Sequence, residues 1–397
     1  MSDRVHVAIV VTRFEAGAGA VALRGAMGLD PDRFRISVIA GSGNRLLNEA
    51  VAAGFDVTVE PALRPEIALR SDWLALRRLE SMLSARRVDV VHTHSAKAGV
   101  VGRCAARRAG IGRIIHTYHG FPFHEFQSVA RRATYVRIER QLGTITDAGL
   151  CVGAAVAVEA VRRRLIEPQR IRTIGVSVSE RLHPRTEAAR TASRSALDLP
   201  PGAVVVGAVG RLSYQKAPED FVAALEALDR RDVIGVWVGD GELAERVRRA
   251  ADRAAPRARI IFLGDRADVP ELLPAFDVFA LPSRYEGVPV AIVEAMASGV
   301  PVVATAVNAV SDVVVPGETG LLVPPERPDL LAAAIGFLLD NTTVASQMAA
   351  RALIHIADRH TDRTLARVLA EAYLPAARRG ASAASCARSD LREPACS

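Results

Sequence analysis

Aromatic residues make up only 5% of these 397 residues, with two tryptophans among them, so there is little surface on which nucleobases could stack. Helix-turn-helix, zinc-finger and RNA-recognition patterns are missing too, and no nucleic-acid partner is expected. The four cysteines, Cys104, Cys151, Cys386 and Cys396, lack metal-ligand spacing and read as free thiols. Metal is not expected: Asp30-Pro-Asp32 falls at a turn after a helix, and the His-x-His and His-x-x-His pairs have no evident third ligand. No run of eighteen apolar residues occurs, and Met1-Ser-Asp-Arg-Val-His6 lacks the basic-then-apolar order of a secretory signal. A cytoplasmic protein is the expectation.

What is present is a chain with 50% hydrophobic and 24% charged residues, long enough for two globular domains. Its charge is uneven. Residues 1–185 hold 28 Lys and Arg against 17 Asp and Glu, net +11, and the remainder is net −4. A basic first half suits an anionic membrane surface, with peripheral attachment, or a phosphate-bearing acceptor. Within it, 121–142 mixes Phe121, Phe123, Phe126 and Val129 with Arg131, Arg132, Arg137 and Arg140. Such an amphipathic basic segment lies against a membrane, lines an acceptor cleft, or is a plain surface helix.

Apolar runs at 5–11, 35–40, 56–60, 88–92, 113–116, 147–152 and 170–175 alternate with helical stretches, and the pattern restarts at 204–209. Repeated strand-helix order predicts two doubly wound parallel α/β sheets, with ligands at the carboxyl ends of the strands. The expected units are 1–185, 186–358 with 179–200 as the connection, a helix in 359–375 returning to the first unit, and a disordered tail, 376–397. Gly17-x-Gly19 reads as a loop between the first strand and helix whose amides approach a diphosphate. It is a poor dinucleotide fingerprint, because the second strand ends in Gly41-Ser42 where an acid would bind ribose. Five of nine histidines, His92, His94, His116, His119 and His124, follow two strand ends; His119 is the candidate for contact with substrate hydroxyls.

The stretch 282–305 orders the second half. A strand leads to Ser283-Arg-Tyr-Glu286, then to a helix with Pro289 as its first residue and Gly299 just past its end. Glu286 and Glu294 stand eight residues apart, so they can grip separate hydroxyl clusters of one elongated ligand. The helix start between them receives an anion. A nucleotide sugar has that shape. Arg211 and Lys216, after the glycine that ends the strand 204–209, are placed to stabilise a diphosphate leaving group.

Taken together, the glycines near 17–19, His119-Gly120, Gly210-Arg-Leu-x-x-x-Lys216, Gly239-Asp-Gly241, Glu286-x7-Glu294 and Gly317-x-Thr-Gly-Leu-Leu-Val323 resemble glycosyltransferase family 4, over about residues 5–375. The segment 92–127 is similar to members that build capsular, exopolysaccharide or lipid-linked glycans. The resemblance implies a GT-B fold and retaining transfer of a hexose from a UDP- or GDP-sugar to a glycan or polyprenyl-linked acceptor, without cofactor or metal. It implies Arg211 and Lys216 on the diphosphate and Glu294 on ribose. Glu286 with Gly287 and Val288 would hold the transferred sugar, and His119 would lie near its reacting carbon. Gly17, Gly19 and Gly239 would complete the donor site, and Arg266 is the residue expected near the base. The implied mechanism is front-face attack, with a covalent Glu286 less favoured.

Two departures stand out. Asn308-Ala309 replace a common Gly-Gly pair, and Cys151-Val-Gly153 replaces a usual Val-Ser. The alternatives are a GT-B nucleotide-sugar 2-epimerase, for which His116-Thr-Tyr-His-Gly120 is the wrong segment, and an inactive nucleotide-sugar binder, which would have a broken Arg/Lys/Glu set.

Overall fold

The computed structural model describes residues 4–123, 127–178, 182, 184–200, 202–254, 258–357 and 359–374. Its first part runs β1 (Val5–Phe14), α1 (Ala16–Met27), β2 (Phe34–Gly43), α2 (Arg45–Ala52), β3 (Asp56–Val59), α3 (Leu69–Ala85), β4 (Val90–His94), α4 (Ala96–Arg108), β5 (Arg113–Tyr118), α5 (Val129–Gly143), β6 (Ala148–Cys151), α6 (Ala154–Arg162) and β7 (Ile171–Thr173). After α7 (Glu187–Ala196) come β8 (Val204–Val209), α8 (Pro218–Leu228), β9 (Val233–Val238), α9 (Ala244–Ala254), β10 (Arg259–Phe262), α10 (Val269–Leu272), β11 (Val278–Leu281), α11 (Val290–Ala297), β12 (Val302–Thr305) and β13 (Leu321–Val323). Three helices close the described chain: α12 (Pro328–Asp340), α13 (Thr342–Ala357) and α14 (Asp362–Tyr373).

Strands β1–β7 form one sheet in the order β3-β2-β1-β4-β5-β6-β7, and β8–β13 form another in the order β10-β9-β8-β11-β12-β13. Every pairing is parallel, which meets the doubly wound expectation in both halves. Strands covered on both faces read as continuous apolar runs, and Val7 to Val11 and Val205 to Val206 are almost wholly buried. Helix α14 packs back on α1, where a Cβ at Gly28 would come within 2.8 Å of the Ala366 methyl.

Chain order reverses between β1 and β4 in the first sheet and between β8 and β11 in the second. At such points the loops leaving the carboxyl ends diverge and open a crevice. The loops concerned are 14–16, 94–96, 209–218 and 281–290, so both crevices are lined by the stretches that the sequence singles out. In the first, Ser95 takes a left-handed φ of +65° and its hydroxyl bonds Thr12 Oγ1 at 2.8 Å, stapling β1 to the turn after β4.

Three local readings of the sequence are corrected. Strand β1 continues to Phe14 and α1 starts at Ala16, so Gly17 and Gly19 belong to the helix's first turn rather than to a loop. Pro289 is the N-cap of α11, one position earlier than expected, whereas Gly299, at φ +75°, does lie just past its end. The connection 179–200 carries α7, whose Arg190 and Arg194, with Arg185, clasp Asp277 at 2.6–2.9 Å. Cys104 and Cys151 are free thiols; His124, Phe126, Cys386, Cys396 and the tail 376–397 lie outside the described residues.

Candidate functional site

On the first sheet, β4 and β5 lie side by side, and this puts His92, His94 and His116 in one buried group. His92 shares hydrogen bonds with Tyr373 Oη and Thr117 Oγ1, both at 2.7 Å, and His116 Nδ1 with Thr93 Oγ1 at 2.8 Å. His94 Nδ1 meets His119 Nε2 at 2.8 Å, so one of the two rings carries the shared proton, and His94 Nε2 is buried with no partner among the described residues. Burial penalises the imidazolium form. It holds His92 down at about 3 and, with the neighbouring histidines adding to it, keeps His94 well below the ordinary value. His119 is the partly exposed end of this row, yet its ring sits deep enough for burial to bring it down to about 4. The rim is neutral at physiological pH.

The second sheet supplies charge. Lys216 Nζ donates to Glu286 Oε1 at 2.6 Å, Ser283 Oγ donates to the same oxygen at 2.6 Å, and Gln215 Nε2 reaches Oε2 at 3.3 Å. The Glu286 amide donates to Asn308 Oδ1 at 3.1 Å. The carboxylate is therefore fixed from three sides and its backbone from a fourth. The Lys216 stem passes over Gly210, and the next residue, Arg211, is exposed. Burial raises the Tyr285 phenol, and the positive charge of Arg211 opposes that rise.

The two rims meet. A Cβ on Gly287 would overlap the His119 carbonyl oxygen, and one on Gly120 would lie 3.6 Å from the Gly287 nitrogen. Gly17 faces α11, where an added Cβ would be 3.7 Å from Val290 Cγ2. Helices α1 and α11 thus begin opposite one another. Neither start has a side-chain cap or an acid in its first turn, so both point unsatisfied amides and a positive dipole end into the gap. Below this, Arg24 of α1 donates to Glu294 Oε1 at 2.9 Å and to the Ser177 carbonyl at 2.7 Å. Asp312 crosses the other way to accept from the amide of Ala155 at the start of α6.

Of the residues singled out by sequence, the structure gathers His119, Lys216, Glu286, Gly287 and Val288 along one seam, with Gly17 beside α11 and Glu294 on it. Gly239, at φ +133°, abuts the Gly210 carbonyl, where no side chain fits, and supports the Arg211 turn from beneath. Gly19 packs on the Phe14 backbone, on the strand side of α1. Arg266 pairs with Asp268 at 2.5 Å and makes no contact with the Lys216–Glu286 group among the described residues. Sequence reasoning passed over Arg24, Gln215, Ser283 and Asp312, and marked Asn308 only as a departure from the family pattern. Ser283 and Gln215 adjoin recognised motifs and were open to inspection; Arg24 and Asp312 act across the seam and have no local signal.

Two family models match the chain: Glycosyltransferase Family 4 over residues 16–179 and Glycosyl transferases group 1 over residues 203–341. The UDP-Gal:alpha-D-GlcNAc-diphosphoundecaprenol alpha-1,3-galactosyltransferase of Escherichia coli is 32% identical over 289 residues, covering 70% of this chain and 73% of that one. The lipopolysaccharide core biosynthesis mannosyltransferase LpsB of Rhizobium meliloti is 33% identical over 199 residues, 46% and 55% of the two chains. Among solved structures, Anabaena HepE in complex with UDP and glucose superposes with a TM-score of 0.80 at 23% identity, over 93% of this chain and 99% of that one. WaaG, a glycosyltransferase involved in lipopolysaccharide biosynthesis, gives 0.74 at 16% identity over 92% and 98%. These likenesses span both sheets and establish the GT-B arrangement of two Rossmann-like halves.

Proposed function

The chain belongs to the family 4, group 1 glycosyltransferases, and from that premise we propose that it moves a hexose from a UDP- or GDP-sugar to a lipid-linked glycan, with retention and without a metal ion. The observation that carries the reading is the pair of uncapped helix starts facing each other at Gly17 and Val290, with Lys216 bonded to Glu286 four residues before α11 begins and Arg211 exposed in the same loop as Lys216. Two helix dipoles and two cations form a site for a dianionic diphosphate and stabilise the charge that develops as it leaves. The Escherichia coli relative, named for UDP-Gal and a diphosphoundecaprenol acceptor, supports both ends of the reaction.

In this reading Glu294 offers its second oxygen to ribose hydroxyls. Glu286, held by Lys216, Ser283 and Gln215, accepts hydrogen bonds from the transferred sugar. His119, kept neutral by burial, bonds a sugar hydroxyl without adding charge near the anomeric carbon. The bond from that carbon to the diphosphate oxygen breaks while the acceptor hydroxyl attacks from the same face, and the departing phosphate oxygen takes the hydroxyl proton. A Glu286 carboxylate already engaged by three donors is placed as an acceptor of hydrogen bonds rather than as a covalent nucleophile.

The test is release of UDP, GDP or ADP from a panel of nucleotide sugars without added metal, with GlcNAc-diphosphoundecaprenol or a membrane lipid extract as acceptor, and Glu294→Ala as control. Release from one donor that rises with the lipid acceptor and disappears in the variant is the expected result. Interconversion of a nucleotide sugar with its epimer, with no release from any donor, would overturn it in favour of the isomerase.

A further inference from the structure

Four large apolar side chains lie exposed within eight residues at the start of α3: Ile67 is 73% exposed, Leu69 84%, Trp73 65% and Leu74 37%. Single exposed apolar residues need no explanation; a cluster does. Leu69 and Trp73 stand one helical turn apart and share a face, and Ile67 precedes them in the loop from β3. Arg64, Arg70 and Arg77 are exposed around them. The acids of the same stretch are mostly engaged: Asp72 by Lys97 at 2.6 Å, the buried Glu60 by Arg78 at 3.1 Å, and Glu80 by Arg108 at 2.9 Å and Arg77 at 3.7 Å, which leaves Glu66 as the exposed acid beside Arg64 and Arg70. Arg70 has no ion-pair partner among the described residues. The result is an apolar knuckle within a basic ring.

We propose that this knuckle, Ile67, Leu69, Trp73 and Leu74 with Arg64, Arg70 and Arg77, seats in the interface of an anionic bilayer and holds the first half of the protein over its lipid-linked acceptor. The inference rests on the acceptor class proposed above and gives it an address. Aromatic and aliphatic side chains enter the headgroup boundary while arginines meet anionic headgroups, and both elements are present here. No described helix is long and apolar enough to cross a membrane, so attachment is from one side.

The position is also right. The loop 60–68 leaves the carboxyl end of β3, so the knuckle stands on the same rim of the sheet as His94 and His119. The Asp72–Lys97 pair ties the start of α3 to the start of α4, two residues beyond His94. The segment that the sequence marked as amphipathic and basic is less suited. Helix α5 turns Val136 and Leu142 inward together with Glu139, which pairs with the buried Arg103 at 2.8 Å, and Val129 is its exposed large apolar residue. Its arginines have no apolar face to accompany them.

The protein carries its own probe, since the other tryptophan, Trp237, is fully buried. Adding phosphatidylcholine vesicles that contain phosphatidylglycerol to the full chain is expected to shift tryptophan emission to the blue and to float the protein; vesicles of phosphatidylcholine alone should do so weakly. Ile67→Glu with Leu69→Glu, both at exposed positions and with Trp73 retained, should lower vesicle binding at least about ten-fold. The same variant should turn over a short-chain, water-soluble acceptor at the parent rate and a long-chain acceptor in vesicles more slowly. Vesicle binding is read without turnover, so loss of the transferase reading and loss of this one are separate outcomes. Binding that survives in the double variant but is lost in Arg131→Glu with Arg132→Glu would return the contact to α5 and overturn the proposal. So would concentration-dependent self-association through the knuckle with no vesicle binding.

Discussion

Around His119 the first sheet ends in rings without charge, whereas around Glu286 the second ends in ions tied to one another. The contrast follows from how each rim is covered. Helix α14 and its Tyr373 close over His92, and burial there is borne by neutral imidazoles bonded to one another, to Tyr373 Oη and to two threonines, with His94 Nε2 buried and left without a partner among the described residues. On the other rim Lys216 and Glu286, with side chains 17% and 5% exposed, are removed from water as a pair, and the cost of burying each is offset by the other and by Ser283 and Gln215. A neutral rim suits hydroxyl groups, and a charged one suits a diphosphate. Under the proposed function the reacting bond of a nucleotide sugar would lie between those two chemistries, at the seam where Gly287 meets the His119 carbonyl.

Acid gives the largest expected effect, and it acts on the neutral rim. His92, His94 and His116 have folded pKa values lowered by burial, so the unfolded chain binds protons that the folded one refuses. Their contribution to stability is complete above about pH 6.5 and is lost as pH falls below it toward the folded values, at up to about 1.4 kcal/mol per pH unit for each group. Calorimetry between pH 7.5 and 5 should show Tm falling steeply, and His92→Asn should flatten the slope by about one proton. A Tm that does not change over that range would remove the distinction between the rims.

Next comes Glu286→Gln, which leaves Lys216 facing a neutral amide. Loss of one preorganised group at a developing charge typically costs about 10²–10³ in kcat. That loss is expected here together with a lower Tm, because Lys216 loses its buried counter-ion and the new amide nitrogen faces a donor, Gln215 Nε2 or the Lys216–Ser283 pair. Undiminished turnover would take Glu286 out of the chemistry and leave the second rim as structure only.

The two glycines of α1 divide in the same way. Gly19→Ala puts a methyl 2.9 Å from the Phe14 backbone and should cost about 1–3 kcal/mol of stability. Gly17→Ala meets nothing closer than Val290 Cγ2 at 3.7 Å and has no positive φ, so stability should hold or rise by up to about 1 kcal/mol. Its methyl does enter the gap between the two helix starts, and the donor KM should rise. Equal behaviour of the two variants would show that the gap holds no ligand.

The sheets were legible because strands covered on both faces leave long apolar runs in the sequence. Helix α7 was not, because no apolar stripe anchors it. Its hold is the arginine clasp on Asp277, a partner some eighty to ninety residues away that no local window contains. At the site, the types of the charged residues were legible and their contacts were not. The two departures from the family pattern show why. Asn308 keeps the left-handed φ, +42°, that glycine would supply, and uses its side chain to hold the Glu286 amide. Beside it, a Cβ at Gly153 would come 3.0 Å from the Ala309 methyl and 2.5 Å from Asp312 Oδ2. A larger residue on one face of the seam is matched by a smaller one on the other. Read along the chain these are two anomalies; in space they are one contact.

The smallest effect separates a strut from a ligand. Arg24 and Glu294 join α1 to α11 with side chains 20% and 10% exposed, so removing Arg24 leaves a largely buried carboxylate without its cation and lowers stability. Arg24 takes no part in donor binding under the proposed function, and Arg24→Ala should change the donor KM by less than about five-fold, or about 1 kcal/mol. If Glu294 serves ribose hydroxyls through its second oxygen, Glu294→Ala also removes hydrogen bonds to a charged group, each worth about 1.5–3 kcal/mol, and the KM should rise by at least about ten-fold. Initial rates against donor concentration distinguish the two. Matching shifts would mean that Glu294 only braces the seam, and the charged rim would then end at Glu286; a large shift in Glu294→Ala alone extends it along α11 to the nucleoside.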